Sequence, residues 1–327
     1  MNALDEPGAR GAPADPLGAL LARTPVVVLD GALATELERR GADLRDPLWS
    51  AKELIEAPDR IRAVHLDYFR AGADVASTAT YQATFEGFAR RGIGADEANR
   101  LMHAAVAIAR SSRDEFWADP AARAGRERPL IAASVGPYGA MLGDGSEYRG
   151  GYGLDRAALR AFHRPRLATL ARSGADLIGF ETVPSLEEAL ALAELLAEWP
   201  DATAWLSFSC RDGAHTAEGQ PVAVAAAALD AYPQVVAIGV NCTAPRHLPE
   251  LLARMAAETD KPLIAYPNSG ERYDADAKCW HGVANGASFA RAAADWYRAG
   301  ARIIGGCCRT GPAEVRAIRA WVDTLER

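Results

Sequence analysis

The sequence predicts an α/β fold, a TIM-type (β/α)8 barrel in a single domain, from a run of eight short β-rich apolar segments that alternate with segments of helical period. Most of these runs are apolar on both faces, as strands walled in by helices must be. No Gly-rich phosphate turn follows any of them, which argues against an open doubly wound sheet. About 300 residues is also the length that eight strand-helix units require.

The strands are expected at Val26 to Asp30, Asp74 to Thr80, Leu130 to Gly136, Asp176 to Glu181, Ala204 to Ser209, Val235 to Asn241, Leu263 to Pro267 and Arg302 to Gly306. Helical periodicity is clearest at Asp96 to Phe116, Asp155 to Arg172, Leu186 to Glu198, His247 to Glu258 and Pro312 to Leu325. Pro184-Ser185-Leu186-Glu187-Glu188 supplies a helix start, a small polar residue followed by acids. Gly-Ala-Asp at 72–74 and 174–176, with a variant before Ala301, marks a recurrent helix stop. The stretches Asp46 to Pro58, Gln82 to Gly94 and Gly136 to Gly153 are then loops on the catalytic face and candidates for a lid. Residues 1–24, rich in Ala, Gly and Pro, read as a flexible lead-in, and 25–327 as the barrel.

Bulk composition narrows the function. Of 327 residues, 49% are hydrophobic and 24% charged, with a net charge of −7, so a polyanionic partner is disfavoured and a small-molecule ligand expected, with no nucleic acid. Five cysteines are too few and too odd for a disulfide framework, and no secretory leader is visible. Reduced thiols in the cytoplasm are expected. Every apolar stretch falls short of the roughly 20 residues that span a bilayer, so no membrane role is expected.

A barrel enzyme works at the C-terminal ends of its strands, and these ends are polar here: Asp30, Thr80, Ser134, Glu181-Thr182, Ser209-Cys210, Asn241-Cys242, Asn268-Ser269 and Cys307-Cys308. Cys242 ends the sixth run and Cys307-Cys308 the eighth, one strand apart, so three sulfurs can converge above the mouth. Three thiolates favour zinc in tetrahedral geometry at about 2.3 Å per sulfur, with the fourth position open. Gly305 and Gly306 are expected to let the chain turn sharply enough for two adjacent cysteines to face one ion. Cys210 and Cys279 read as non-ligands. Asp30 and Glu181 set carboxylates across the mouth from the sulfurs, suited to hold an amine. Trp49, Tyr81, Phe85, Tyr138, Tyr148, Tyr152, Tyr266, Tyr273 and Trp280 would suit a cationic substrate.

With these residues assembled, the chain resembles the homocysteine S-methyltransferase family from about Val27 to the last helix. The pattern lies in Asp30-Gly31-Ala32-Leu33-Ala34-Thr35-Glu36-Leu37, Gly179-Phe180-Glu181-Thr182, Gly239-Val240-Asn241-Cys242 and Gly305-Gly306-Cys307-Cys308. Ser134 to Gly139, Gly145 to Gly150 and Tyr266 to Glu271 are similar to the branch that uses S-methylmethionine or S-adenosylmethionine. The resemblance implies Zn2+ on Cys242, Cys307 and Cys308, and homocysteine held near Asp30, Gly31, Thr80 and Glu181, with Asn241 beside them. It implies methyl transfer from S-methylmethionine, less so S-adenosylmethionine, with no catalytic group beyond the zinc-activated substrate thiolate. The rivals are a betaine-using relative, the homocysteine module of cobalamin-dependent methionine synthase, a zinc hydrolase, and a non-catalytic zinc or thiol-binding barrel. The chain lacks an Asp-x-His-x-x-Gly cobalamin signature, and its six histidines avoid the strand ends.

Overall fold

The computed structural model describes residues 14–43, 52–270, 272–274, 279–281 and 286–325, with only the backbone path at 272–274, 279–281 and 286–288. All eight expected strands form: β1 (Val27–Val28), β2 (Val75–Ser77), β3 (Leu130–Val135), β4 (Leu177–Val183), β5 (Ala204–Phe208), β6 (Val235–Asn241), β7 (Leu263–Tyr266) and β8 (Ala301–Ile304). Each pairs in parallel with its sequence neighbour, and β1 pairs with β8. A parallel bridge between Leu29 and Val75 joins β1 to β2 and closes the ring.

The period of two along a strand explains why the runs are apolar throughout. Val27 and Leu29 face inward with Val75, Ala132, Leu177, Trp205, Ile264, Tyr266 and Ile303. Val26 and Val28 face outward against the helices. The five expected helices lie at Ala95–Ala118, Arg156–Leu170, Leu186–Leu196, Leu248–Ala256 and Pro312–Val322, and further helices include Leu33–Arg39, Pro58–Ala71, Val222–Asp230 and Gly286–Arg298. An antiparallel hairpin, Arg272–Asp274 with Cys279–His281, follows β7. No helix among the described residues is long and apolar enough to cross a membrane.

The Gly-Ala-Asp repeat does more than stop a helix. Gly72 and Gly174 take left-handed φ of 115° and 81°, which a β-carbon would oppose. The aspartate two residues later then caps the neighbouring strand: Asp74 accepts from Val28 N at 2.9 Å and Asp176 from Ile131 N at 2.7 Å. Arg126 and Arg319 pair with the buried Asp74, and the buried Arg113 pairs with Asp176, so the buried charges are compensated.

The expected lead-in needs correction over its second half. Asp15 caps a short helix, Pro16–Leu21, by accepting from Gly18 N at 2.8 Å. Leu17 and Leu20 from that helix join the inner cluster of the barrel. The interior would otherwise open to water at its N-terminal end, and burying one leucine contributes about 1.5–3 kcal/mol. Residues 1–13 lie outside the described part.

Candidate active site

The ends of β6 and β8 bring the Sγ atoms of Cys242, Cys307 and Cys308 within 4.8 Å of one another, the one such group of potential metal ligands among the described residues. Cys242 Sγ lies 3.5 Å from Cys308 Sγ. Cys242 and Cys307 are joined in a disulfide across a Cα separation of 5.5 Å. This corrects the expectation of uniformly reduced thiols. The physical reason is the convergence itself, because strand ends that aim two sulfurs at one point also hold their Cα atoms in the range a disulfide requires. Metal ligation and the disulfide are alternative states of the same sulfurs, since only thiolates ligate.

The donor set fits a thiophilic cation. Cys308 is half-buried, and desolvation pushes its thiol up to about 12, so the thiolate forms there only beside a positive charge. Tyr148 donates a hydrogen bond to Cys308 Sγ, and Asn241 Nδ2 lies 3.8 Å from Cys307 Sγ. Gly305 and Gly306, expected to allow a sharp turn, act by close approach. Neither has positive φ, but a Cβ on Gly305 would fall 2.5 Å from Leu29 Cβ and one on Gly306 2.1 Å from Thr310 Oγ1. Cys210 ends β5 outside the sulfur group, where burial raises its thiol. The side chains of Cys279, Tyr273 and Trp280 lie outside the described residues, as do Trp49 and Glu271.

Across the mouth, Asp30 and Glu181 are buried at the ends of β1 and β4. Asp30 Oδ2 accepts from Ser77 N at 2.9 Å. Ser134 Oγ donates to Glu181 Oε2, Ser77 Oγ lies 3.5 Å from Oε1, and the Tyr266 hydroxyl also donates to this carboxylate. Burial raises both acids, Glu181 to about 7, and the Glu181 charge raises Asp30 further. Two carboxylates that resist ionising together form a receptor for a cation.

Other expected contacts take supporting positions. Thr80 is fully buried and its hydroxyl donates to Ser134 O at 2.7 Å, which fixes the end of β3. A Cβ on Gly31 would fall 2.9 Å from both Thr310 O and Tyr68 Oη. Asn241 Oδ1 accepts from Thr182 N at 2.7 Å and its Nδ2 donates to Thr182 Oγ1 at 2.8 Å. Thr182 in turn shares a hydrogen bond with Tyr81. This bridge holds Thr182 at φ 59°, a left-handed conformation that is unusual for a β-branched residue. Cys242, at φ 44°, and Arg309, at φ 69°, are the other non-glycine residues of this kind among the described residues. All three flank the sulfurs or Glu181, where strain of about 1–3 kcal/mol each is kept by surrounding bonds.

The 136–153 loop, expected as a lid candidate, is tied down. Tyr138 N donates to Glu188 Oε1 at 2.6 Å, the same oxygen lies 2.8 Å from His163 Nε2, and Arg166 donates to Gly136 O at 2.5 Å. Ser209 Oγ donates to Glu147 O at 2.8 Å and Gly151 N to Glu218 Oε1 at 2.7 Å. The loop is a wall of the mouth. In sequence His163, Arg166 and Glu188 look like ordinary helix residues, and only the acids after Ser185 hinted at a role.

With this geometry in hand, comparison with known proteins places the chain. A family model described as homocysteine S-methyltransferase matches residues 27–322. Homocysteine S-methyltransferase YbgG of Bacillus subtilis is 51% identical over 312 residues, 95% of this chain and 99% of the relative. The crystal structure of the homocysteine methyltransferase MmuM from Escherichia coli superposes in its oxidized form with a TM-score of 0.86 and in its metallated form with 0.85. Both are 48% identical and cover 94% of this chain and 99% of theirs. The match runs through both cysteine-bearing strand ends and both carboxylates, so the chain belongs to the homocysteine S-methyltransferase family.

Proposed function

We propose that the protein methylates homocysteine to methionine with S-methylmethionine as its preferred donor, S-adenosylmethionine second, using zinc held by Cys242, Cys307 and Cys308. The observation that carries this reading is three sulfurs within 4.8 Å of one another, facing a buried pair of carboxylates across one barrel mouth. A relative known in a metallated form supports a metal, and three sulfur donors favour zinc among the available ions. When bound, zinc would supply the positive charge that keeps the homocysteine sulfur a thiolate at neutral pH, where a free thiol near pKa 8.5 is mostly protonated.

The chain's own residues then position the reactants. Asp30 and Glu181 would take the α-ammonium of homocysteine, whose charge offsets the burial that raises both acids. Ser77, Ser134 and Tyr266 orient the Glu181 carboxylate, and the Asn241–Thr182 bridge holds the ends of β4 and β6 in register. The thiol gives up its proton to solvent, its sulfur forms a bond to the donor methyl, and the bond from that carbon to the sulfonium sulfur breaks, its electron pair staying on the leaving thioether. Two neutral thioethers result. With S-methylmethionine both products are methionine. No proton moves at the methyl carbon, so rate comes from alignment and from excluding water. A reducing compartment such as the cytoplasm suits this chemistry, because the Cys242–Cys307 pair must be open to ligate.

S-methylmethionine is favoured over S-adenosylmethionine because it is compact and asks for no adenosine pocket. Methionine formation with S-methylmethionine, S-adenosylmethionine and betaine in competition tests this reading through the ratio of kcat/KM values. A preference for betaine would overturn the donor assignment while leaving homocysteine as acceptor.

A further inference from the structure

The 3-10 turn Ser146–Tyr148 in the β3 loop carries a carboxylate that the proposed chemistry leaves unused. Glu147 Oε2 is buried and accepts no hydrogen bond. Among the described residues no lysine, arginine or histidine forms an ion pair with it. Arg149, two positions on, is exposed and lies nearer Asp144, so its charge reaches Glu147 without forming an ion pair. The turn is fixed at the mouth from two sides: the Glu147 carbonyl accepts from Ser209 at the end of β5, and Tyr148 donates to Cys308. With its carbonyl on Ser209 and the next residue's hydroxyl on Cys308, Glu147 sits between the end of β5 and the sulfurs, beside Tyr81 and Tyr148. A buried, unpaired carboxylate costs stability unless a cation meets it.

We infer that Glu147 receives the α-ammonium of the methyl donor, so that the donor class is an amino-acid sulfonium with a free α-amine. This rests on the sulfonium-donor reading above and extends it. The proposed reaction brings together two α-amino acids, and apart from Asp30 with Glu181 the mouth offers the Glu147 carboxylate on the β3 loop, fixed between the end of β5 and Cys308. Catalysis decides which donor cation Glu147 meets. The sulfonium charge disappears in the transition state, so a carboxylate against it would stabilise the starting state and slow transfer. The ammonium is a spectator whose charge persists, and holding it improves binding without slowing the step.

The test compares zinc-loaded wild type, Glu147→Gln and Glu147→Asp with two donors: S-methylmethionine, and dimethylsulfoniopropionate, a sulfonium without an amine, read as substrate or as competitive inhibitor. In Glu147→Gln the KM for S-methylmethionine should rise roughly 10- to 150-fold, the worth of one charge-assisted hydrogen bond, while kcat, homocysteine KM and zinc content hold. Binding of dimethylsulfoniopropionate should not change. Glu147→Asp keeps the charge and should fall between. An unmoved S-methylmethionine KM, or an equal loss for both sulfoniums, overturns the inference. If wild type makes no methionine from S-methylmethionine at all, the donor reading fails and this inference with it. Homocysteine binding by calorimetry checks that each variant is folded.

Discussion

Glu181→Gln should make the protein more stable and a poorer enzyme, with both effects traceable to one buried charge. Burial raises the Glu181 carboxyl from 4.5 to about 7, which corresponds to about 3 kcal/mol. Because the folded-state value lies above the unfolded one, the folded chain holds this proton longer. Stability is therefore full below pH 4.5 and is lost as pH rises through 7. Glutamine is neutral throughout and suffers no such loss. It also removes the charge that raises Asp30, and the hydroxyls of Ser134 and Tyr266 can rotate to serve the amide. Without substrate, the variant should gain up to about 3 kcal/mol at pH 8 and almost nothing at pH 4.5. At an unfolding entropy near 2.1 cal/mol/K per residue, that gain is about 4 °C in Tm for a chain of this length.

The functional half has the opposite sign. A charge-assisted hydrogen bond to the homocysteine ammonium is worth about 1.5–3 kcal/mol, so the affinity for homocysteine should fall roughly 10- to 150-fold. Thermal unfolding of wild type and variant from pH 4.5 to 8, with homocysteine titrated by calorimetry, measures both. A Tm gain that is independent of pH would refute the assignment of the cost to ionisation. Unchanged homocysteine affinity would remove Glu181 from the amine site.

Replacing Cys242, Cys307 or Cys308 with serine should remove zinc and methionine formation together, whereas Cys210→Ser and Cys279→Ser should keep both. Full zinc retention in all three ligand variants would sink the metal assignment. Because the Cys242–Cys307 disulfide competes with ligation, protein prepared without reductant should take up little zinc, and reduction should restore uptake; mild chelation should stop turnover without unfolding the chain. His65 tests the core instead: it is fully buried, neither ring nitrogen has a partner, and burial lowers it to about 4. Its folded value lies below the usual 6.5, so stability is lost as pH falls from 6.5 toward 4, by about 2 kcal/mol at pH 5. His65→Leu should abolish that acid loss in urea unfolding, and an unchanged pH slope would refute the burial argument.

The strands and the sulfur cluster were legible because each rests on a local signal. Val235 to Asn241 is a continuous apolar run closed by a cysteine, and the second such closure at Cys307 fixes the face once the barrel is assumed. The proposed amine site was half legible. Asp30 and Glu181 end strands, but Ser77, which touches both, reads as an ordinary residue within a run. Thr80 shows the same limit: position along a strand tells that a side chain is near the mouth, not that its hydroxyl is bonded to Ser134 O. The Pro16–Leu21 helix was missed because six residues cannot display a helical period, so its two buried leucines look like chance in a loose segment.

What the sequence could not reveal at all is the strain around the site. Thr182 is β-branched, a residue type that argues for extended backbone, yet it sits at φ 59°. The conformation exists because Asn241, 59 residues later, takes both its amide and its hydroxyl. Asn241 in turn stands beside Cys307 Sγ, so one side chain links the carboxylate strand to the sulfur strands. Such a bond is a property of the closed barrel and has no local trace. It also gives Asn241 a reason to end β6 that does not depend on touching substrate: if the bridge is cut, Thr182 can relax toward the extended region, and the carboxylate of the preceding residue, Glu181, turns with it.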